Sequence, residues 1–369
     1  MRHRLIINWI AALLPLLFPS ARASQAIAGG WQIASPGFTY QFPRDHGIHP
    51  NFKTEWWYFT GSLRAADGRE FGFELTWFRQ GLTPISPPPG ASRFIVRDFK
   101  FAHFAISDIA AHRFDFAQKI SRGAYGEAGF GNGNPGPLAW IDNWRLDVEP
   151  GGAWRISADH DGHALSLRLT PQKPPVIEGE QGISRKAAGD GHASCYYSYT
   201  RMRADGLLTL PGKAPSPLTG ETWFDHEWAT NQLAPDQAGW DWFSLQIDDA
   251  TELMLYRMRL KNGLTDSASS GTFTRKDGSV LYLKAGDFKL TPIESWKSPA
   301  TSANYPISWQ VEIPRLNLKL DVSTPLKNQE LALPSIAYWE GLIHVTGSAS
   351  GHGYLELTGY GSPISAFGL

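Results

Sequence analysis

The chain has 369 residues and nearly balanced charge, 34 Lys and Arg against 35 Asp and Glu, a formal net charge of −1. That balance argues against nucleic acid, which calls for a basic face, and against attachment to anionic lipid. Cys195 is the one cysteine, so no intrachain disulfide forms, and with no Ser-His or Cys-His signature around it the thiol reads as a small buried apolar group.

Residues 1–23 read as an export signal. Arg2 and Arg4 form a basic start, Leu5 to Phe18 is apolar, and Ala21-Arg22-Ala23 offers small residues for cleavage after Ala23. The apolar run is shorter than the roughly 20 residues of a membrane span, and no later stretch approaches that length. The expectation is a periplasmic or secreted chain with no integral membrane segment after cleavage.

Beyond the signal, period-2 alternation dominates. Asp45-His46-Gly-Ile-His49-Pro50 leads into Glu55-Trp56-Trp57-Tyr58-Phe59-Thr60-Gly61. His46 and His49 with Glu55 are conceivable metal ligands, but they sit in a Gly/Pro turn rather than on one helix face. No spaced Cys/His set is present, so neither a metal nor any other cofactor is expected. Phe71, Phe73, Leu75 and Trp77 share one strand face. Thr83 to Ser92 and Gly129 to Pro137 are Pro- and Gly-rich and read as loops. Asp67-Gly68, Asp161-Gly162, Asp205-Gly206, Asn262-Gly263 and Asp277-Gly278 read as hairpin turns. His160 and His163 then flank a tight hairpin and are expected to be solvated. Short helical pieces are expected near Val96–Lys100 and Ile183–Ala187. The stretch Asp205 to Thr219 reads as the linker between two lobes, 36–205 and 206–369. Glu55–Gly61 and Trp223–Trp228 look like equivalent starts of the two.

Fifteen Trp, 20 Phe and 12 Tyr exceed what one ordinary core needs. Such a count suits a ligand cavity, a carbohydrate-binding face or a packed core alike. The densest reactive cluster is Thr222-Trp223-Phe224-Asp225-His226-Glu227-Trp228. In an extended strand Trp223, Asp225 and Glu227 face one way, and Phe224, His226 and Trp228 the other. A carboxyl on an apolar wall is desolvated and stays protonated toward neutrality, as a general acid must. The alternative is a structural ion pair of Asp225 and Glu227 with Arg257 or Arg259. Tyr196-Tyr197-Ser198-Tyr199 either lines a cavity or tiles a core. No phosphate-binding Gly loop and no Gly-x-Ser-x-Gly elbow is present.

Glu55–Gly61, Trp223–Glu227, Tyr338-Trp-Glu-Gly341 and Gly353–Tyr360 together resemble the AttH/CrtC-like family, whose members are often called carotenoid 1,2-hydratase or hydroxyneurosporene synthase. The resemblance runs from about Phe38 to Tyr360. It implies an all-β chain of two consecutive lipocalin-like (calycin) β-barrel domains with apolar ligands near their junction. It also implies water addition to a double bond, with Asp225 matching the candidate acid and Trp223 its aromatic neighbour, and Tyr197 and Tyr199 near an expected aromatic pair. Exported relatives beside lipoprotein-release-type transporter genes imply an envelope ABC-type permease as partner.

Three functional expectations follow. The first is an exported carrier holding a large apolar ligand in a Trp-rich barrel interior, contacted by Trp56, Trp57, Tyr58, Trp77, Tyr197, Tyr199, Trp240, Trp242 and Arg257. The second is a hydratase with Asp225 as acid and Trp223, His226 and Glu227 around it. The third is a carbohydrate-binding module, which requires tryptophans on an exposed convex face.

Overall fold

The computed structural model describes residues 27–363 except 93, 134 and 335. The expected signal, 1–23, and its cleavage point lie outside the described residues. No described helix is long and apolar enough to cross a membrane.

Two large antiparallel sheets, of 13 and 10 strands, make up most of the described protein, beside a small two-stranded sheet of Ile27–Ala28 and Trp31–Gln32; the long path of each large sheet carries the strand labels. The first contains β1 (Thr54–Ala65), β2 (Glu70–Gly81), β3 (Asp98–Asp108), β4 (Arg113–Ser121), β5 (Ala128–Phe130), β6 (Gly136–Ile141), β7 (Trp144–Val148), β8 (Trp154–His160), β9 (His163–Pro171), β10 (Ala193–Thr209) and β11 (Ser216–Ala229). Its order is β4-β3-β2-β1-β11-β10-β9-β8-β7-β6-β5. The second contains β12 (Gln237–Ile247), β13 (Glu252–Leu260), β14 (Ser270–Thr274), β15 (Val280–Lys284), β16 (Lys289–Lys297), β17 (Asn304–Ile313), β18 (Leu318–Ser323), β19 (Ala337–Gly347) and β20 (Gly351–Thr358). Its order is β15-β14-β13-β12-β20-β19-β18-β17-β16. Both sheets curl into barrel-like lobes of the lipocalin kind, as the alternation and the resemblance imply. In the first, the Phe104 ring of β3 meets Trp144 of β7 edge-on at 5.7 Å, and His163 at the start of β9 reaches Asp115 of β4 at 3.3 Å. Strands at opposite ends of the ladder thus come together.

The lobe boundary differs from the expectation. Asp205-Gly206 is not a turn but lies within β10, opposite Arg168 and Leu167 of β9. Glycine is required there because a Cβ on Gly206 would come 2.0 Å from the Ser166 carbonyl oxygen. The Gly/Pro-rich segment that follows is the β10–β11 hairpin, and β11 pairs with β1 along its length. Sheet membership therefore changes after Ala229, and Trp223–Trp228 is a neighbour of Glu55–Gly61 rather than its counterpart in a second lobe. Nor are 96–100 and 183–187 helical. Asp98 opens β3 by pairing with Gly81, and Ser184–Arg185 pairs with β10. The short 3₁₀ turns fall instead at Arg44–His46, Ala285–Asp287 and Pro314–Leu316. Of the flanking histidines, His160 is exposed, whereas His163 is buried against Asp115.

Each lobe has its own packed core. Trp57, Phe59, Phe73, Leu75, Trp77, Trp154, Phe224 and Trp228 pack the first, and Phe243, Leu255, Trp309, Val311, Trp339 and Leu355 pack the second. Truncating any of these fully buried tryptophans to alanine costs about 3–5 kcal/mol. A third apolar cluster, including Tyr58, Tyr196, Trp223, Trp242 and Tyr256, lies where the outer face of one sheet meets that of the other.

Candidate active site

The strand register sets residues of distant sequence side by side at that junction. Across the first sheet, Tyr196, Glu227, Trp56, Phe78 and Phe101 form one lateral row, and Ser198, Asp225, Tyr58, Thr76 and His103 form the next. The second sheet contributes the row Tyr256, Trp242, Glu356 and Glu340. Between them is a cleft that encloses about 880 Å³ when its open mouth is included.

Asp225 sits on its wall, 4% exposed. One oxygen accepts from Trp223 Nε1 at 2.7 Å and Ser198 Oγ at 2.5 Å, and the other from the Tyr196 hydroxyl at 2.7 Å. Trp242 Nε1 in turn donates to the Tyr196 oxygen at 3.2 Å, so the second lobe is tied into the same network. Burial pushes the Asp225 carboxyl well above the usual range, outweighing the three donors, which favour the anion.

Glu227 pairs with Lys186 at 3.2 Å, and the ammonium also lies 4.2 Å from the Tyr256 ring centroid. Burial pulls Lys186 down, but Glu227, Tyr256 and Asp225 more than offset it, so its net shift is upward. Arg257 and Arg259 are not partners of Asp225 or Glu227. Both reach Asp241, and Arg257 lies over the Trp309 ring, because alternation puts residue 257 on the opposite face of β13 from Tyr256. The ion-pair alternative in that form is set aside.

Of the residues expected to contact ligand, Trp56, Tyr58, Trp240 and Trp242 line the cleft together with Asp225 and Glu227. Trp223 meets Trp242 edge-on at 6.1 Å and holds Asp225. Trp57, Trp77, Tyr197, Tyr199 and His226 point instead into the first barrel, and Arg257 lies away from the cleft. The cleft that Trp56, Tyr58, Trp240 and Trp242 line lies between the lobes rather than inside a barrel. Tyr196, of the stretch expected to line a cavity or tile a core, also lines the cleft, as do Glu74, Lys186, Tyr256, Glu340 and Glu356, which were not singled out from sequence. A signal for them existed in Glu55–Thr60, where both strand faces are aromatic. A strand of that kind is covered on both sides.

His226 belongs to a separate network. Its Nε2 is 3.0 Å from Glu55 Oε1, which His49 Nδ1 also reaches at 2.7 Å, and the three ligand atoms lie within 4.8 Å of one another. Glu55 is also paired with Arg79 at 3.2 Å, and His49 Nε2 faces Asp45 at 3.3 Å. His46 is not in the group but bonds the Tyr197 hydroxyl at 2.7 Å. Each ring nitrogen of His49 and His226 and each Glu55 carboxylate oxygen has a hydrogen-bond partner. Trp228, stacked on His49 at 3.7 Å, covers the cluster.

A two-lobed, lipocalin-like β protein with a carboxyl-bearing cleft between its lobes is the class these features define. The AttH-like family profile matches residues 33–360, and the chain belongs to that family. An AttH-type protein of Nitrosomonas europaea, known from its crystal structure, is 32% identical and superposes with a TM-score of 0.79 over 88% of this chain and 98% of that one. Kievitone hydratase from Nectria haematococca shares the fold at 15% identity, with a TM-score of 0.65 over 87% of this chain and 92% of its own. The dehydratase asqC of Emericella nidulans is 22% identical over 243 residues, 61% of this chain. The match spans 64% of asqC, under two thirds of that relative's length.

Proposed function

We propose that the protein takes an elongated apolar small molecule into the cleft between its lobes and catalyses reversible water addition to a carbon–carbon double bond, as a hydro-lyase of the carotenoid 1,2-hydratase type. The observation that carries this reading is Asp225, a buried carboxyl on an aromatic wall whose burial pushes its pKa upward. Its proton passes to one alkene carbon, leaving a carbocation beside the Trp56 and Trp242 rings, whose π faces stabilise positive charge. Water bonds to the cation through oxygen and loses a proton to the Asp225 carboxylate, which regenerates the acid. Hydratase and dehydratase names among the relatives support the reaction class.

Binding without turnover, the carrier reading, is favoured by one observation. Both Asp225 oxygens already have partners, as in a structural carboxylate. The carbohydrate-binding reading needed tryptophans on an exposed face, and Trp57, Trp223 and Trp242 are all enclosed. Export through residues 1–23, with an envelope permease as partner, remains part of the proposal. The experiment is native mass spectrometry of the purified protein, with organic extraction of any bound molecule. That molecule is then incubated with wild type and Asp225→Asn. Loss of turnover with binding retained supports the enzyme. Absence of turnover in both supports the carrier.

A further inference from the structure

The cleft contains more acid than the reaction uses. Glu74 of β2, Glu340 of β19 and Glu356 of β20 meet at the end formed by the second lobe, and the cation lining the cleft, Lys186, is paired with Glu227. Glu356 is bonded through one oxygen to Trp240 Nε1 at 3.0 Å and Thr358 Oγ1 at 2.7 Å. Glu74 and Glu340 differ in what they leave over. Glu74 Oε1 accepts from Tyr338 at 3.0 Å and Thr76 at 3.1 Å, and Glu340 Oε1 accepts from Tyr58 at 2.7 Å. The Oε2 atom of each is buried with no hydrogen-bond partner, in side chains only 1% exposed. Leaving such an atom unsatisfied costs about 1–3 kcal/mol, so a pair of them in one cleft wall marks a place for ligand atoms.

The hydrogen-bond chain behind Glu74 fixes which kind. The Gln118 amide nitrogen lies 2.9 Å from His103 Nε2, and His103 Nδ1 lies 2.6 Å from the Tyr338 hydroxyl. Burial lowers His103 to about 3, so the ring is neutral. The amide donates to Nε2, Nδ1 carries the proton and donates to the Tyr338 oxygen, and the Tyr338 O–H is left to donate to Glu74 Oε1. With Oε1 committed as an acceptor, a proton on Glu74 resides on Oε2, the atom without a partner. Burial raises Glu74 to about 8 and, with the neighbouring acids, holds Glu340 well above its usual range.

We propose that Glu74 and Glu340 form a polar pole of the cleft that binds an acceptor oxygen, carbonyl or hydroxyl, at one end of an otherwise apolar ligand. The ligand class is thus an oxygenated isoprenoid-like molecule rather than a bare hydrocarbon. The proposal rests on the cleft being the ligand site but not on Asp225 turning the ligand over.

The test is equilibrium binding, read by quenching of intrinsic Trp fluorescence, with farnesol, farnesene and farnesylamine as matched probes. Wild type binds farnesol at least about tenfold more tightly than farnesene, the worth of one well-made buried hydrogen bond. Glu74→Leu and Glu340→Leu bring that ratio to near one, and Glu74→Gln retains most of it. A wild-type ratio near one overturns the proposal without recourse to any variant. A ratio unaltered in both Leu variants also overturns it, as does tighter binding of farnesylamine than of farnesol, which would assign the pole to a cation. Turnover that depends on Asp225 alongside a ratio near one leaves the hydro-lyase reading standing and removes this one alone.

Discussion

The Tyr58 hydroxyl of the first lobe donates to Glu340 Oε1 of the second across 2.7 Å, with both side chains buried. Tyr58→Phe removes the donor on which that carboxyl depends and leaves both its oxygens unpartnered. Stability falls by about 1–3 kcal/mol, measured by urea unfolding, with the fold unchanged by circular dichroism. A loss below a few tenths would show that the lobes do not rely on the contact.

Asp225→Asn is expected to lower turnover by about 10²-fold or more, the contribution of a positioned acid, while the dissociation constant moves little. Asparagine keeps the shape and can still accept from Trp223 and Ser198. A fall in affinity with kcat preserved would assign Asp225 to binding rather than chemistry.

The acids of the cleft give stability a definite slope with pH. Glu74 ionises at 4.5 in the unfolded chain and at about 8 when folded, and Glu356 at about 7. Between these limits the folded state binds more protons than the unfolded, so their contribution is complete below pH 4.5 and is lost as pH rises through 7 to 8. Glu74→Gln does not titrate. Its melting temperature minus that of wild type therefore becomes more positive from pH 5 to pH 8.5. Terms shared by both proteins, such as His103, which is lowered and has the opposite slope, cancel in that difference. An equal difference at both pH values would show that Glu74 ionises normally.

At the opposite edge of the junction, Glu252 of the second lobe takes Arg201 at 2.7 Å and Lys173 at 2.7 Å from the first. Glu252→Ala leaves Lys173 without its carboxylate partner and Arg201 with only Glu221, both nearly enclosed. A cost of about 3–5 kcal/mol follows for breaking a buried pair. Calorimetry is the direct check, since loss of the lobe clamp also broadens or splits the transition.

Cys195 is fully buried, and burial raises its thiol far above the usual range. Native protein is therefore inert to a thiol-specific reagent such as DTNB over an hour and reacts at one site per chain in guanidinium. Rapid native labelling would mean that β10 opens readily.

Alternation made the strands legible, and it oriented residues 223–228 correctly even though their neighbours were unknown. Asp67-Gly68 and Asp161-Gly162 behaved as turn dipeptides, whereas Asp205-Gly206 did not, because close strand approach selects glycine as strongly as a turn does. Glu74 was hidden for a similar reason. Opposite the phenylalanines of β2 it looks like a solvent-facing residue, and only the second lobe, brought over it by contacts hundreds of residues apart, makes that face an interior. Lys186 reaches the cleft through pairings that no local pattern encodes.

Strand β11 presents Trp223, Asp225 and Glu227 to the junction and Phe224, His226 and Trp228 to the barrel. Neighbouring residues in this stretch thus meet different physical demands. A substitution at an odd position alters what the cleft presents to a ligand, whereas one at an even position first disturbs the packing of the barrel.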